Sequence, residues 1–227
     1  MSRISIVIPA LNERDGITQT IQAIPKAELE SMGYEVQIVV VDNGSNDGTG
    51  ELAKMAGADV VYEPRRGYGR AFKAGFAHVR SDIIATADAD ETYPVEDIPR
   101  LVKILEQEKL DFLTTNRFAF MEKGAMSQRN KIGNRILSLT MKLLFGLNIK
   151  DSQSGMWVFR RSILEELKLN SNTPFSQELK IEACHFARSS WKEFPINYKP
   201  RSGKAKLGGW KVGVGNLLHM FKKRFVR

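Results

Sequence analysis

The fold is decided by the stretch Ile83-Ile84-Ala85-Thr86-Ala87-Asp88-Ala89-Asp90-Glu91-Thr92-Tyr93-Pro94. It opens with a mostly apolar run that is typical of a fully buried strand. Two carboxylates, Asp88 and Asp90, follow where that strand should end, and open α/β sheets bind ligands at the carboxyl ends of their strands. Neighbouring acids repel each other unless a divalent cation lies between them and an anion. The stretch therefore predicts a metal site that serves a nucleoside diphosphate.

A simpler interpretation of the same stretch is the start of a helix. Asp90 would then be the N-cap and Pro94 would lie in the first helical turn. This alternative accounts for one acid and for the proline, but it gives no reason for the second acid. We therefore expect the paired carboxylates to form a ligand site.

Composition limits the class of protein. A chain of 227 residues, 42% hydrophobic and 26% charged, predicts one well-cored globular domain, or at most two small ones. The single cysteine, Cys184, excludes an internal disulfide, fits a reducing compartment and is expected to be a buried structural thiol. The first residues run directly into a predicted strand, so we expect no signal peptide. No apolar run reaches the roughly 20 residues that span a bilayer, so we expect no membrane-spanning helix.

The charge of the chain predicts an anionic partner. The formal net charge is +8 and the pI is near 9.6, which fits nucleic acid, a phosphorylated substrate or an acidic lipid surface. The basic residues concentrate late, in Lys199 to Lys211 and in Lys222 to Arg227. This asymmetry indicates that one end of the chain handles an anion or a surface.

Strands and helices alternate along the first half. Four short runs predict strands, namely Ile4–Ile8, Val36–Val41, Ala58–Glu63 and Ile83–Ala87, of which Val36–Val41 and Ile83–Ala87 are expected to be buried. Helices are predicted up to His78 and from Val95 to Glu108. A parallel sheet wound with helices follows from this alternation. The first strand ends in the polar, rigid turn Pro9–Glu13 instead of the glycine-rich turn of dinucleotide folds, and Asp42 ends the second as Asp88 ends the fourth.

Four motifs, in this order and at this spacing, resemble family 2 inverting glycosyltransferases of the GT-A fold: Pro9–Glu13, Val39–Ser45, Asp88–Asp90 and Asp151–Gly155. The branch they look most like is the dolichyl-phosphate mannose or glucose synthase type. Enzymes of that branch transfer a sugar from a nucleotide sugar to a polyprenyl phosphate. The resemblance implies an α/β fold with a Rossmann-like, mostly parallel central sheet flanked by helices. It implies a GT-A domain over residues 1–207, with a donor half at about 1–110 and an acceptor half at about 111–207.

The same resemblance implies the residues of the donor half. Pro9, Leu11, Glu13 and Asp42 would contact the nucleoside, and Asp88 and Asp90 would serve the diphosphate and its Mg²⁺ or Mn²⁺. Thr92 stands where mannose-type enzymes often have Gln, which leaves the third metal ligand and the sugar open. Cations around Gly203 could fold over a diphosphate, and Arg201 and Lys206 match the family pattern best.

The acceptor half is implied by two arginines and an acid. Arg117 follows the predicted strand Asp111–Thr115, and Arg129 is expected in a loop before the next helix. Both match family positions that meet the lipid phosphate, for which a guanidinium fork is well suited. A solvated surface position is the alternative for Arg129. The resemblance places Asp151 near the reacting sugar, and Ser176 is predicted to cap a later helix.

Two helical stretches carry apolar stripes. In Lys131–Phe145 the stripe is Ile132, Ile136, Leu139, Leu143 and Leu144; core packing is the default, although the resemblance suggests an element on a membrane interface. Residues 208–227 have the pattern of a basic amphipathic helix, with Val214, Leu217, Leu218, Phe221 and Phe225 at helical spacing. Such a helix can lie on an anionic membrane, or dock on the core or on a partner.

The expected reaction is therefore transfer of a hexose, from GDP-mannose or UDP-glucose, to a polyprenyl phosphate such as dolichyl phosphate. A phosphate monoester is already largely ionised at pH 7, so no strong general base is needed. We expect a protein peripheral on the cytoplasmic face of a membrane, with a membrane-anchoring partner as an option and no nucleic acid partner. The alternatives are a family 2 transferase to a polysaccharide or another hydroxyl, and a catalytically silent anion-binding or membrane-binding module.

Overall fold

A mixed seven-stranded sheet forms the middle of the protein. The computed structural model describes residues 2–202 and 210–226. The strands, in chain order, are β1 (Ser2–Ala10), β2 (Tyr34–Asp42), β3 (Asp59–Tyr62), β4 (Ile83–Thr86), β5 (Phe112–Met121), β6 (Trp157–Arg160) and β7 (Trp191–Tyr198). Their spatial order is β3-β2-β1-β4-β6-β5-β7, and β6 alone runs against its two neighbours. The expectation of a mostly parallel α/β sheet is confirmed.

Helices cover both faces of this sheet. They are α1 (Ile17–Gln22), α2 (Lys26–Ser31), α3 (Thr49–Met55), α4 (Tyr68–His78), α5 (Ile98–Gln107), α6 (Gln128–Phe145), α7 (Phe175–Ile181) and α8 (Trp210–Phe225). A 3-10 turn, Val95–Asp97, leads into α5, a second one follows β6 at Arg161–Glu165, and a π turn, Glu182–Phe186, continues α7. Within the described ranges, no helix is long and apolar enough to cross a membrane.

The central strands are apolar on both faces because each face packs against a separate core. Along β1, Ile6 belongs to the cluster that includes α1 and α5, whereas its neighbour Val7 belongs to the cluster built on α4, α6 and α7. Trp157 and Phe72 are fully buried in the second cluster, with ring centroids 5.1 Å apart. Cys184 is buried at the edge of the same cluster, as predicted for a structural thiol.

Three local predictions are wrong. Strand β5 does not end before Asn116 but continues to Met121, because β7 pairs alongside it across a bulge. Arg129 does not lie in a loop: α6 already begins at Gln128, after the Ser127 side chain caps it by accepting from the backbone N–H of Asn130. Ser176 lies inside the first turn of α7 and is not its cap.

The apolar stripe of α6 does not pack in the core. Ile132, Ile136, Leu139 and Leu143 are between 54% and 76% exposed. The helix docks on the sheet through a different set of apolar residues, namely Leu137, Met141 and Phe145. The default expectation of core packing is therefore wrong for most of the stripe, and α6 is apolar toward solvent as well as toward the core.

Two glycines inside helices offer a matched test of this packing. A Cβ at Gly75 of α4 would lie 2.5 Å from Val7 Cγ1 and 3.0 Å from Val41 Cγ2, whereas a Cβ at Gly133 of α6 would meet nothing within 4 Å. We expect Gly75→Ala to lower the free energy of unfolding by about 1–3 kcal/mol through overpacking. Gly133→Ala should raise it by up to about 1 kcal/mol through helix propensity. Urea unfolding measures both, and equal stability of the two variants would contradict the close packing of α4 on the sheet.

Candidate active site

A cleft of about 880 Å³ opens at the carboxyl ends of β1, β2 and β4. Most of the residues predicted for the site line it: Pro9, Leu11, Glu13, Asp88, Asp90, Arg117, Arg129 and Arg201. Asp42 and the buried Asp151 are not part of the lining, and Lys206 lies outside the described residues. The cleft therefore brings residues of the predicted donor half and acceptor half together.

The turns after β1 and β2 are tied to each other. Asn12 adopts a positive φ of 52°, and its backbone N–H donates to the Ser45 hydroxyl at 3.0 Å. The backbone N–H of Glu13 donates to the Thr49 hydroxyl at 2.9 Å. Asp42 shapes the second turn, since its Oδ1 accepts from the backbone N–H of Ser45 at 2.8 Å. This wall of the cleft is consequently held rigid by hydrogen bonds between two loops.

Asp88 is held between α4 and the loop that precedes β6. The Tyr68 hydroxyl donates to Asp88 Oδ1 at 3.0 Å, and burial together with the nearby negative charge of Asp90 raises the pKa of Asp88 to about 7. A Cβ at Gly155 would collide with the Tyr68 hydroxyl oxygen, so the loop needs glycine here. Tyr68 was not predicted as a site residue, because one tyrosine at a helix start belongs to no motif.

Both carboxylate oxygens of Asp90 have partners. Oδ1 accepts from the Thr92 hydroxyl at 2.6 Å and from its backbone N–H at 3.2 Å. Oδ2 lies 2.7 Å from Nη2 of Arg201, and that nitrogen also donates to Glu13 Oε1 at 2.8 Å. The following helical turn begins only after Pro94, so Asp90 caps no helix and the simpler interpretation of the stretch fails.

On the opposite side, Arg117 is fixed by a buried ion pair with Asp151. Nε of Arg117 donates to Asp151 Oδ2 at 2.7 Å and Nη2 donates to Oδ1 at 2.9 Å. Burial alone would raise the pKa of Asp151, but the guanidinium holds that pKa below its usual value. The Tyr198 ring supports the guanidinium at 5.2 Å. Asp151 occupies Nε and Nη2, and no residue in the described ranges is hydrogen-bonded to the remaining nitrogen, Nη1, which can therefore meet a ligand.

A buried lysine stands behind this pair. Lys180 of α7 is fully buried, and its Nζ donates to the backbone oxygen of Asp151 at 2.7 Å. Burial lowers the pKa of Lys180 to about 8. Asp151 is itself 0% exposed, so it contacts Arg117 and the interior and lies behind the cleft wall. Arg129, in contrast, is exposed at the cleft wall on α6.

Three amides connect α8 to the same loop. Gln153 Nε2 donates to Gln177 Oε1 at 3.1 Å, Gln177 Nε2 donates to the backbone oxygen of Asn216 at 2.6 Å, and Asn216 Nδ2 donates to Gln153 Oε1 at 2.9 Å. Gln153 and Asn216 also line the cleft. This ring of hydrogen bonds was not predicted, because each residue is ordinary for a helix or loop and only the fold brings them together.

Helices α6 and α8 pack side by side and present one apolar surface to solvent. We define this amphipathic face by its exposed apolar residues: Ile132, Ile136, Leu139, Leu143, Val214, Leu218, Phe221 and Phe225. Exposed cations accompany it, namely Arg135, Lys142, Lys222 and Arg224. Ile136 and Val214 belong to the cleft wall as well, so the cleft reaches this face. Exposed apolar surfaces of this kind mark contact with a protein or a membrane.

The acid pair has the donor chemistry for a hard divalent cation. In residues 2–202 and 210–226, no group of three or more His, Cys, Asp or Glu is placed to hold a metal ion. The two carboxylates of Asp88 and Asp90 offer oxygen ligands, which Mg²⁺ shares with substrate phosphates in many enzymes. The raised pKa of Asp88 reflects burial beside a second acid, and bound positive charge would relieve it. The residues present therefore fit a cation that binds together with a diphosphate.

Solved structures of known proteins share the fold. Glucosyl-3-phosphoglycerate synthase from Mycobacterium tuberculosis, in complex with phosphoglyceric acid, matches with a TM-score of 0.80 and 22% identity, over 100% of this chain and 81% of that one. The same enzyme in complex with Mn²⁺, UDP and phosphoglyceric acid matches with a TM-score of 0.75, over 98% of this chain and 78% of that one. These neighbours confirm the predicted GT-A fold.

Curated relatives cover nearly the whole chain. The low-salt glycan biosynthesis hexosyltransferase Agl6 of Haloferax volcanii is 36% identical over 92% of this chain, which spans about half of its length (51%). The dolichyl-phosphate hexose transferase of the same organism is 30% identical over 92% of this chain and 90% of its own length. An undecaprenyl-phosphate 4-deoxy-4-formamido-L-arabinose transferase of Edwardsiella ictaluri is 31% identical over 92% of this chain and 64% of its own. The model of glycosyl transferase family 2 matches residues 5–168, and the chain belongs to that family.

Proposed function

We propose that this protein is an inverting hexosyltransferase that moves a hexose from GDP-mannose or UDP-glucose to a polyprenyl phosphate such as dolichyl phosphate. One observation carries the proposal: a single cleft joins the Asp88 and Asp90 carboxylates and the Arg117 guanidinium to the amphipathic face. A water-soluble acceptor would not require that face. Relatives whose names specify dolichyl phosphate and undecaprenyl phosphate support the same class of acceptor.

The donor would lie along the wall formed after β1 and β2. Pro9, Leu11 and Glu13 would hold the nucleoside, and Asp42, which shapes the adjoining turn, would complete that site. A bound Mg²⁺ or Mn²⁺, held by Asp88 and Asp90, would neutralise charge on the departing diphosphate. A second group of cations, proposed as Arg201 and Lys206, would hydrogen-bond the diphosphate and stabilise it as the leaving group.

The acceptor phosphate would be held on the opposite side by Arg117 and Arg129. Asp151 is then a positioning residue, since it fixes two nitrogens of the Arg117 guanidinium and leaves the third for the phosphate. A phosphate acceptor is already ionised and needs orientation more than a base. A hydroxyl acceptor would need a general base, and Asp151, the acid expected near the sugar, is committed to Arg117. The arrangement therefore favours in-line attack by a phosphate oxygen on the anomeric carbon.

The amphipathic face would lie on the cytoplasmic surface of a membrane. Its apolar side chains can enter the boundary between headgroups and acyl chains, while Lys142, Lys222 and Arg224 can meet anionic headgroups. In this proposal residues 1–207 are the catalytic domain, with donor and acceptor halves that meet near residue 110. Residues 208–227 join α6 as the membrane-contacting part. Because Ile136 and Val214 belong to both surfaces, a lipid phosphate could reach Arg129 without leaving the membrane boundary.

Replacing Asp90 tests the donor site. Asp90→Asn removes the charge that would hold the cation, and we expect transfer to fall by about 10²–10³-fold, as for the loss of a major electrostatic contact in the transition state. Circular dichroism and thermal unfolding should stay close to wild type. Glu96→Gln, which removes an exposed acid six residues away, serves as control and should retain activity. Near-normal turnover of Asp90→Asn would rule out the metal assignment.

Arg129 offers a test of the acceptor site. It is exposed, so Arg129→Gln should change the free energy of unfolding by less than about 0.5 kcal/mol. Loss of a charge-assisted contact to phosphate should raise the KM for a short polyprenyl phosphate by about 10-fold or more while leaving the KM for the nucleotide sugar unchanged. Lys103→Gln, which removes an exposed cation of α5 that does not line the cleft, is the matched control. The same KM in both variants would refute a role for Arg129 in acceptor binding.

The membrane assignment is tested by replacing exposed apolar residues of the amphipathic face with acidic ones. Leu143 is 76% exposed and Leu218 is 63% exposed, so replacing both with Glu should not disturb folding. We expect the double variant to lose most of its co-sedimentation with anionic lipid vesicles. Met55→Glu alters a residue that is 84% exposed on α3, away from that face, and should sediment like wild type. Undiminished sedimentation of the double variant would contradict the proposed contact.

A further inference from the structure

Arg201 occupies the oxygen of Asp90 that a divalent cation would need. Asp90 is only 4% exposed, and Thr92 already saturates its Oδ1 through the hydroxyl and the backbone N–H. The other oxygen, Oδ2, lies 2.7 Å from Nη2 of Arg201. A cation that enters this site must therefore displace either a local turn or the arginine.

Arg201 also contacts the wall of the cleft that is formed by the turns after β1 and β2, where we propose the nucleoside to bind. Its Nη2 donates to Glu13 Oε1 at 2.8 Å, and the backbone N–H of Ser202 donates to the backbone oxygen of Asp90 at 3.1 Å. The guanidinium thus connects the turn after β1 with the turn after β4, and the chain next to it is fixed on the latter. In this state a positive charge already stands between two acids of the cleft.

We propose that Arg201 fills the cation position in the resting protein, and that divalent metal and nucleoside diphosphate bind in concert by exchanging its partners. The cation takes Asp90 Oδ2, and the diphosphate takes the released guanidinium. This inference rests on the proposed function, since it presumes a metal at Asp88 and Asp90.

Electrostatics explains why the two ligands depend on each other. A divalent cation and a guanidinium on one carboxylate oxygen repel each other strongly in a partly buried site. A metal ion that binds alone must break the ion pair between Arg201 and Asp90, and the arginine then receives no new anionic partner. With a diphosphate present, the guanidinium fork gains a partner that suits it better than a single carboxylate oxygen. The coupling is reciprocal, so the metal strengthens nucleotide binding by the same factor.

The test is the affinity of the protein for MnCl₂, measured by calorimetry with and without a nucleoside diphosphate. Removing the competing cation in Arg201→Gln should tighten Mn²⁺ binding without nucleotide by about 10-fold, within the usual range of coupling between sites. The same variant should lose most of the gain in Mn²⁺ affinity that the nucleotide gives wild type. Arg201→Lys keeps the charge but not the forked guanidinium, so its Mn²⁺ affinity without nucleotide should rise less than that of Arg201→Gln. This second variant keeps the test valid if Arg201→Gln fails to fold.

Lys199→Gln is the matched control. It removes the same charge two residues away, from a lysine that pairs with Glu96 at 2.5 Å and does not line the cleft. Its Mn²⁺ affinity should match wild type. Unchanged or weaker Mn²⁺ binding by Arg201→Gln, with nucleotide-linked binding intact in wild type, would overturn the exchange. Failure of the proposed metal site itself would look different, because wild type would then bind no Mn²⁺ even with the nucleotide.

Discussion

Two like charges at the end of one buried strand are the constraint on which the rest of the site depends. Asp88 and Asp90 follow β4 in the middle of the sheet, where burial makes their mutual repulsion costly. Neutral hydroxyl groups donate hydrogen bonds to both acids, Tyr68 to Asp88 and Thr92 to Asp90, and Arg201 contributes one full positive charge. A cleft built in this way is receptive to a divalent cation, because the acids hold more negative charge than the surrounding side chains neutralise.

On the opposite side of the cleft, which we propose for the acceptor, the buried charges of Arg117, Asp151 and Lys180 are satisfied by their neighbours. Arg117 and Asp151 form a forked pair, and Lys180 reaches the backbone of Asp151 from behind. Removing one member of such a pair usually costs far more than the pair contributes, because the other charge stays buried and unpaired. The pair therefore fixes the direction of the Arg117 guanidinium more than it adds stability. On one wall of the cleft, Asp90 and Glu13 share a single cation, Arg201, whereas the other wall holds the Arg117 guanidinium in a fixed geometry.

Sequence patterns predicted the strands, the acid pair and the family, because each depends on local alternation or on a short motif. The partnership of Arg117 with Asp151 was not predictable, since they are 34 positions apart and only the pairing of antiparallel β6 with β5 brings the loop of Asp151 next to Arg117. Periodicity predicted the helix α6 but not which side faces the core. Leu137 and Met141 face inward while Ile136 and Leu139 face solvent, and all four are equally apolar. For α6 the membrane hypothesis came from the family resemblance, whereas for residues 208–227 the basic amphipathic pattern itself suggested it.

The ring of amides between α8 and the loop before β6 has a fixed direction. The backbone oxygen of Asn216 can only accept, so Gln177 must present its NH₂ group there and its oxygen to Gln153. Gln153 must then donate to Gln177 and offer its own oxygen to the Asn216 side chain. Gln153 lies two residues after Asp151, which orients Arg117. Helix α8, which forms half of the amphipathic face, is thus hydrogen-bonded to the loop that orients the Arg117 guanidinium. A shift of α8 would therefore disturb the position of that guanidinium.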